Sequence, residues 1–483
     1  MMRLIKTFLI AAAVTGLVRE ARAFSLLGQV KTWQIVPWGY DLPGDIGTPQ
    51  LPNEGYRWNV PVIYYAFDYS FITYFGTNGM KAIDQAMAIF NELPRFDRLT
   101  NDGSSFYING EVVPTDSRGP PNHGLNVAGV LDLKSHAMQL VIEELGLAQP
   151  TRWIYALGGR LVDNGPPPTT NFTVIKLNFD PITLQAIDSR VNGALYTYDV
   201  FDPFSLVPYY ADAVERAIDV TNPYGPAVAD GAIFAGEYYF GLTHDDVGGL
   251  RYLYNRNNLA TEQLVTSPSS TVTGGQRFSG GGSPWAAYVG LTNLTLGTNV
   301  IGNPNAVGTN LVITGLRPGI NRLNFRRARF DSLLGQFIQP ITNDYNDLVI
   351  SNSRPVIQPV LRTLTQPDII FTCEDLGRVQ NLVPVLTART DTTGWQNNDA
   401  LNGSDLATGP AFGGPGVITP QVFIRFSDQL PYFSNTNPDF LSGEDFLLGS
   451  GVWGSFDENS ETPIIYPAFG GLTLEDIQRA ARF

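Results

Sequence analysis

The hydrophobic pattern opens with an apolar stretch from Thr7 to Val18, preceded by Arg3 and Lys6 and followed by Ala21-Arg22-Ala23. Twelve apolar residues are too few to cross a bilayer as a helix. A positive start, a short apolar run and a small-x-small triplet together predict a signal peptide over 1–23, cut before Phe24. An extension over 24–55 follows. From Val62 to Phe67 the chain reads Val-Ile-Tyr-Tyr-Ala-Phe, a β-branched and aromatic run that predicts a strand. Met80, Ile83, Met87 and Phe90 then recur at helical spacing after Asn78-Gly79, predicting a helix over Met80–Leu93 that Pro94 ends. A second helix is predicted over Leu131–Leu147, with Met138, Val141, Ile142 and Leu145 on one face, and strands over Thr173–Phe179 and Ala194–Val200. A third helix starts at Thr243, where Thr-His-Asp-Asp forms a capping box ahead of Val247, Leu250, Leu253 and Tyr254. These elements predict one α+β domain over residues 56–258.

Helical periodicity then fades. Of the 19 residues from Thr266 to Pro284, 15 are Gly, Ser, Thr or Pro, so 259–284 is predicted as a linker. Beyond it, Asn310–Ile313, Leu323–Phe330, Leu348–Ile350, Val356–Leu361, Ile369–Thr372 and Gln421–Phe426 cluster β-formers between Gly, Pro and Asn turns. Many short strands at close spacing predict an all-β, sandwich-like half over 285–483, as one or two domains. The end of the chain, Leu472–Phe483, reads as a short amphipathic helix capped by Thr473 with Asp476.

Composition narrows the class. With 43% apolar and 12% aromatic residues the chain can build cores and is not a disordered polymer. Its net charge of −14 argues against sequence-independent nucleic-acid binding. Loss of Arg3, Lys6, Arg19, Arg22 and Glu20 with the signal would deepen that charge to −17. The single cysteine, Cys373, excludes an intrachain disulfide, and its Phe-Thr-Cys strand setting predicts burial. No later run approaches a membrane span, so a secreted, extracellular or periplasmic protein is expected.

Within 56–258 the residues Gln139-Leu140-Val141-Ile142-Glu143-Glu144-Leu145-Gly146-Leu147-Ala148-Gln149 and Leu242–Tyr254 resemble the active-site and closing helices of metzincin zinc proteases, the matrixins in particular. The resemblance implies a metzincin-like outline: an early strand and long helix, an active-site helix turned by Gly146-Leu147, and a closing helix. It places the three zinc ligands at Gln139, Glu143 and Gln149 and the general base at Leu140. Such a zinc is held by neutral imidazoles with a fourth position open to water. Glutamine is a poor zinc ligand and leucine cannot take a proton. All five methionines precede the motif, so the Met-turn is missing too. The chain also resembles a group of large secreted bacterial proteins, through Leu131–Ser135, Glu143–Leu147, Thr243–Tyr254 and Phe330–Phe337.

Other chemistry is sparse. The only histidines are His123, His136 and His244, and with Glu143 and Glu144 they are the fallback ligands and acid–base groups of a divergent zinc peptidase. The plainer expectation is a helix-surface or ion-paired role for Glu143 and Glu144, and capping for Asp245 and Asp246. No G-x-S-x-G elbow surrounds a serine, and Gly280–Gly282 lies in linker composition. Acid-rich turns at Asn343–Asp347, Asn397–Asp399 and Asp457–Asn459 could take calcium, though Asn and Asp are ordinary turn formers. Trp285, Trp395, Trp453 and Tyr432 could stack on sugars or fill the β core. Sequons stand at Asn171, Asn293 and Asn402. Arg317, Arg322, Arg326, Arg327 and Arg329 form the one basic cluster, open to an anionic surface or to the chain's own carboxylates, including Asp331. The expected function is a non-catalytic exported protein with an adhesion or surface-assembly role, without a cofactor, its partners a cell-surface protein or polysaccharide. The alternatives are a divergent zinc metallopeptidase and a carbohydrate-binding β half.

Overall fold

The computed structural model describes residues 23–28, 48–52, 54–100, 106–167, 169–186, 189–201, 212–218, 227–231, 233–266, 311–351, 354–374, 385–392, 395–396, 414–418, 420–427, 446–456 and 463–467. The interpretable part is strand-rich, 40% strand against 22% helix, with four helices, an α+β to β-rich composition. The expected signal segment 1–22, the Gly-rich run, Trp285, Tyr432, Asn293, Asn402, the expected turns Asn397–Asp399 and Asp457–Asn459, and the expected helix Leu472–Phe483 all lie outside the described residues.

A six-stranded sheet organises the core. Its strands are β1 (Ile63–Phe67), β2 (Phe325–Arg327), β3 (Ile369–Glu374), β4 (Val385–Thr392), β5 (Val422–Ser427) and β6 (Phe446–Ser450), in the order β2-β1-β3-β5-β4-β6. The first four in that order run parallel and β4 runs against them. Strand β1 therefore sits between partners more than 250 residues further along the chain. The predicted halves 56–258 and 285–483 share this sheet rather than each closing its own. The expected linker also begins later than its composition suggests. Leu259–Thr266 is a strand in eight-residue register with Leu311–Pro318, and only the remainder of 259–284 lies beyond the described residues.

Both sheet faces are covered. Ile63, Tyr65 and Phe67 of β1 pack with Phe71, Phe75 and Phe90 of helix α1 (Tyr69–Glu92) in the main core. Alternation sends Tyr64 to the other face, where it meets Phe337 and Leu364. Asp68 caps α1 by accepting the Phe71 amide at 2.9 Å. The helix starts eleven residues before the expected Met80, because Phe71, Tyr74 and Phe75 bury a further apolar face ahead of a kink at Gly76. Asn78-Gly79 is thus inside the helix.

The remaining helices are α2 (His123–Val127), α3 (Leu133–Glu144) and α4 (His244–Tyr254). The predicted capping box of α4 is formed on both sides, Thr243 and Asp246 each serving the other's backbone. Phe24–Gly28 pairs with Thr48–Gln50, Leu147–Ala148 and Asn178–Phe179, so the chain just past the expected cleavage point is core. Cys373 is buried, as its strand setting suggests. Asn343–Asp347 is not a turn: it lies inside the long strand Ile341–Ser351, paired with Arg354–Leu364. No helix among the described residues is long and apolar enough to cross a membrane.

Candidate functional site

The region that sequence singles out most sharply is α3 and what surrounds it. Val130–Asp132 enters as a short parallel strand beside Val452–Gly454, and Asp132 caps the helix. Its carboxylate accepts the Ser135 amide at 3.0 Å, the Ser135 hydroxyl at 2.6 Å and the Phe456 amide at 3.2 Å. The Ser135 hydroxyl in turn accepts the Tyr239 amide at 2.7 Å. Burial raises the Asp132 carboxyl above the usual range, against these bonds and Lys134.

All twelve residues of α3 are buried. Of the two roles expected for Glu143 and Glu144, helix surface or buried ion pair, the surface one is absent; Glu144 is 0% exposed. Helix α3 instead packs on α1, on the sheet and on the 3-10 turn Val228–Asp230, so no side is left for water. The C-terminus of the helix is tied down on both flanks. Trp58 Nε1 donates to the Glu144 carbonyl at 2.7 Å and the Tyr254 hydroxyl donates to the Leu145 carbonyl at 2.9 Å. Gly146 then turns the chain at φ +98°, against the backbone of Tyr56, where no side chain would fit.

Of the positions that the resemblance assigned to zinc ligands, those within α3 are interior ones. Gln139 is 2% exposed, Leu140 and Glu143 are buried beside it, and Gln149 is half-buried beyond the helix. Gly231, at φ +63°, lies against the Gln139 amide so closely that a Cβ there would stand 2.7 Å from its Cδ. The turn that does this is held by α4. Asp246 accepts the amides of Val228 and Ala229 at 3.0 Å each, together with the Thr243 amide at 2.8 Å and hydroxyl at 2.6 Å. Asp230 in the same turn accepts the Thr151 amide and hydroxyl, both at 2.7 Å. Burial pushes the Asp230 carboxyl up to about 7, with the Asp246 charge adding to the rise, and burial raises Asp246 as well. Tyr239 and Tyr196 close this cluster, their hydroxyls pushed upward by burial and by Asp230.

The three histidines are held separately. His123 is exposed at the start of α2. His136 is buried in α3 with its ring edge-on to Trp453, centroids 5.5 Å apart. Burial lowers it to about 4, partly offset by Gln139, and its Nε2 has no hydrogen-bond partner. His244 stacks on Phe106 at 4.4 Å with Nδ1 3.4 Å from Asp245. Among the described residues no group of three or more His, Cys, Asp or Glu could hold a metal ion. Asp245 does something sequence reasoning left to capping: fully buried, it accepts the amides of Asn192 at 2.6 Å and of Ala23 at 3.0 Å. The capping box was a legible signal for Asp246; its second hold, on Val228 and Ala229, is a tertiary contact without one. Comparison with protein-family models, curated proteins and solved structures finds no match to this chain.

Proposed function

We propose that the protein is exported and non-catalytic, a structural or interaction protein whose metzincin-like outline is a scaffold. One observation carries the reading: the positions where a zinc protease would keep an open metal are packed interior, Gln139 being covered by Gly231 and Leu140 filling the place of a base. A catalytic zinc needs a vacant coordination position facing substrate. The outline is supported by β1 followed by α1, by the Gly146 turn, and by α4 closing on α3 through Tyr254. It also departs from that outline, since five of the six sheet strands follow the closing helix in the chain. A sandwich-like arrangement of the strands after 285 belongs to the same proposal.

Export rests on the Met1–Ala23 pattern. Strand Phe24–Gly28 is core, and cleavage before Phe24 leaves a charged amino group one residue from the position whose amide Asp245 now accepts. Elemental analysis of the purified mature chain tests the non-catalytic reading. Substoichiometric zinc is expected, whereas one zinc per chain, lost with peptidase activity in His136→Ala and His244→Ala, would overturn it. N-terminal sequencing of protein recovered from the medium or periplasm, expected to start at Phe24, tests export.

A further inference from the structure

The hairpin Phe330–Asp331/Gln336–Phe337 turns apolar side chains outward. Leu333 at its tip is 96% exposed, Leu334 68%, and Ile338 just beyond it 63%. The hairpin is nonetheless tightly built. Asp331 accepts the amides of Leu333 at 2.9 Å and Leu334 at 3.2 Å, Gln366 Nε2 donates to the Gly335 carbonyl at 2.9 Å, and Phe337 is buried against Tyr64. Ser332 Oγ accepts the amide of Tyr69 at 2.7 Å, which brings the start of α1 beside the tip. Tyr69 is itself 72% exposed, with Ile72 exposed one turn on. Five exposed apolar side chains thus lie on two adjoining segments, Leu333, Leu334 and Ile338 on the hairpin and Tyr69 and Ile72 at the start of α1.

Cations border them. The Ile338 amide donates to the Arg329 carbonyl at 3.3 Å, so exposed Arg329 stands across the hairpin from Ile338. Arg326 is in parallel register with Tyr64, whose ring meets Phe337, so exposed Arg326 shares the sheet face that the hairpin covers. The expected pairing of this cluster with the chain's own carboxylates is seen at Arg327, which bonds Asp84 at 2.9 Å. Asp331 is occupied by backbone amides, and among the described residues neither Arg326 nor Arg329 has an ion pair.

We infer that this hairpin docks the protein on an anionic phospholipid surface, with Leu333, Leu334 and Ile338 entering the acyl boundary and Arg326 and Arg329 meeting lipid phosphates. A stable protein interface takes about 20–30 residues a side. Five exposed apolar side chains fall well short of that, whereas insertion into a fluid bilayer needs no matching surface and grows with apolar area and attraction to anionic lipid. Charge agrees: a chain of net charge −14 is repelled by an anionic membrane except through a face such as this one, whose Arg326 and Arg329 have no ion pair among the described residues. The inference deepens the interaction reading above; zinc stoichiometry tests that reading and vesicle binding tests this one, so each can fail alone.

The test is co-sedimentation of the full mature chain with phosphatidylcholine vesicles, with and without phosphatidylglycerol. Binding is expected only with phosphatidylglycerol, weakening as salt is added. The double variant Leu333→Ser/Leu334→Ser should bind at least about tenfold more weakly. Arg326→Gln and Arg329→Gln should each cost about fivefold. All should keep the wild-type circular dichroism spectrum, since these side chains contact solvent. Absence of vesicle binding, or binding that the leucine variant retains, would overturn the inference. So would a dimer seen by light scattering that the leucine variant abolishes without any lipid binding, because the patch would then belong to a second copy.

Discussion

Helix α3 and the 330–337 hairpin break the inside–outside rule in opposite senses. The helix carries His136, Gln139, Glu143 and Glu144 into the interior, and the hairpin carries Leu333 and Leu334 out of it. Polar residues are usually buried where a site needs them and apolar ones exposed where a partner needs them. Around α3, Gly231 stands against Gln139, Trp453 against the His136 ring and Trp58 on the Glu144 carbonyl. Around the hairpin nothing of the chain covers the leucines among the described residues. The difference is one of packing: the helix that carries the candidate residues is interior and helps hold the fold together, while the plain hairpin faces the environment.

The contrast is sharpest at the carboxylates that wall off α3. Asp246→Ala removes the acceptor of four buried donors, and unfolding by denaturant should show a loss of at least about 3 kcal/mol. A smaller loss would mean that the turn Val228–Asp230 does not depend on α4. Asp230 works through pH. Its folded carboxyl titrates near 7 against an ordinary 3.8, so the folded state holds a proton that the unfolded chain gives up. Stability from this group is complete below pH 3.8 and is lost as pH rises to about 7, by at most roughly 4 kcal/mol. Asp230→Asn should therefore flatten the fall of melting temperature between those pH values.

His136 runs the other way. Its folded value near 4 lies below the ordinary 6.5, so its contribution is present above pH 6.5 and lost as pH falls through 4. His136→Phe should remove that acid-side loss and steepen the decline towards neutral pH, a change visible in the same melting series. At the small end, Gln139→Met replaces an amide whose Oε1 has no partner by an apolar group of similar length. Stability should change by less than about 1.5 kcal/mol, a result that a metal ligand would not give.

Local chemistry made much of this legible. Caps were readable because they are short-range: Thr243 with Asp246 could be identified from four consecutive residues, and Pro94 from the residue type alone. Strand β1 could be read from its β-branched and aromatic composition. Its neighbours could not, because the pairing of Ile63–Tyr65 with Phe325–Arg327, and of Tyr65–Phe67 with Ile369–Phe371, is set by packing across the whole chain. The same long reach hid the strand Leu259–Thr266, whose polar composition reads as linker until Leu311–Pro318 supplies its ladder. Glu143 and Glu144 were visible as candidates, but their burial depends on chain distant in sequence, such as Trp58, 86 residues away, on the Glu144 carbonyl.

The claim that α3 is the packed centre rather than the wall of an open cleft is tested most directly by amide hydrogen exchange. Followed by mass spectrometry, peptides spanning 133–144 should be among the slowest to exchange in the protein, while those spanning 330–337 exchange early. Exchange of 133–144 as fast as the hairpin would contradict the account and return the helix to the surface of a cleft.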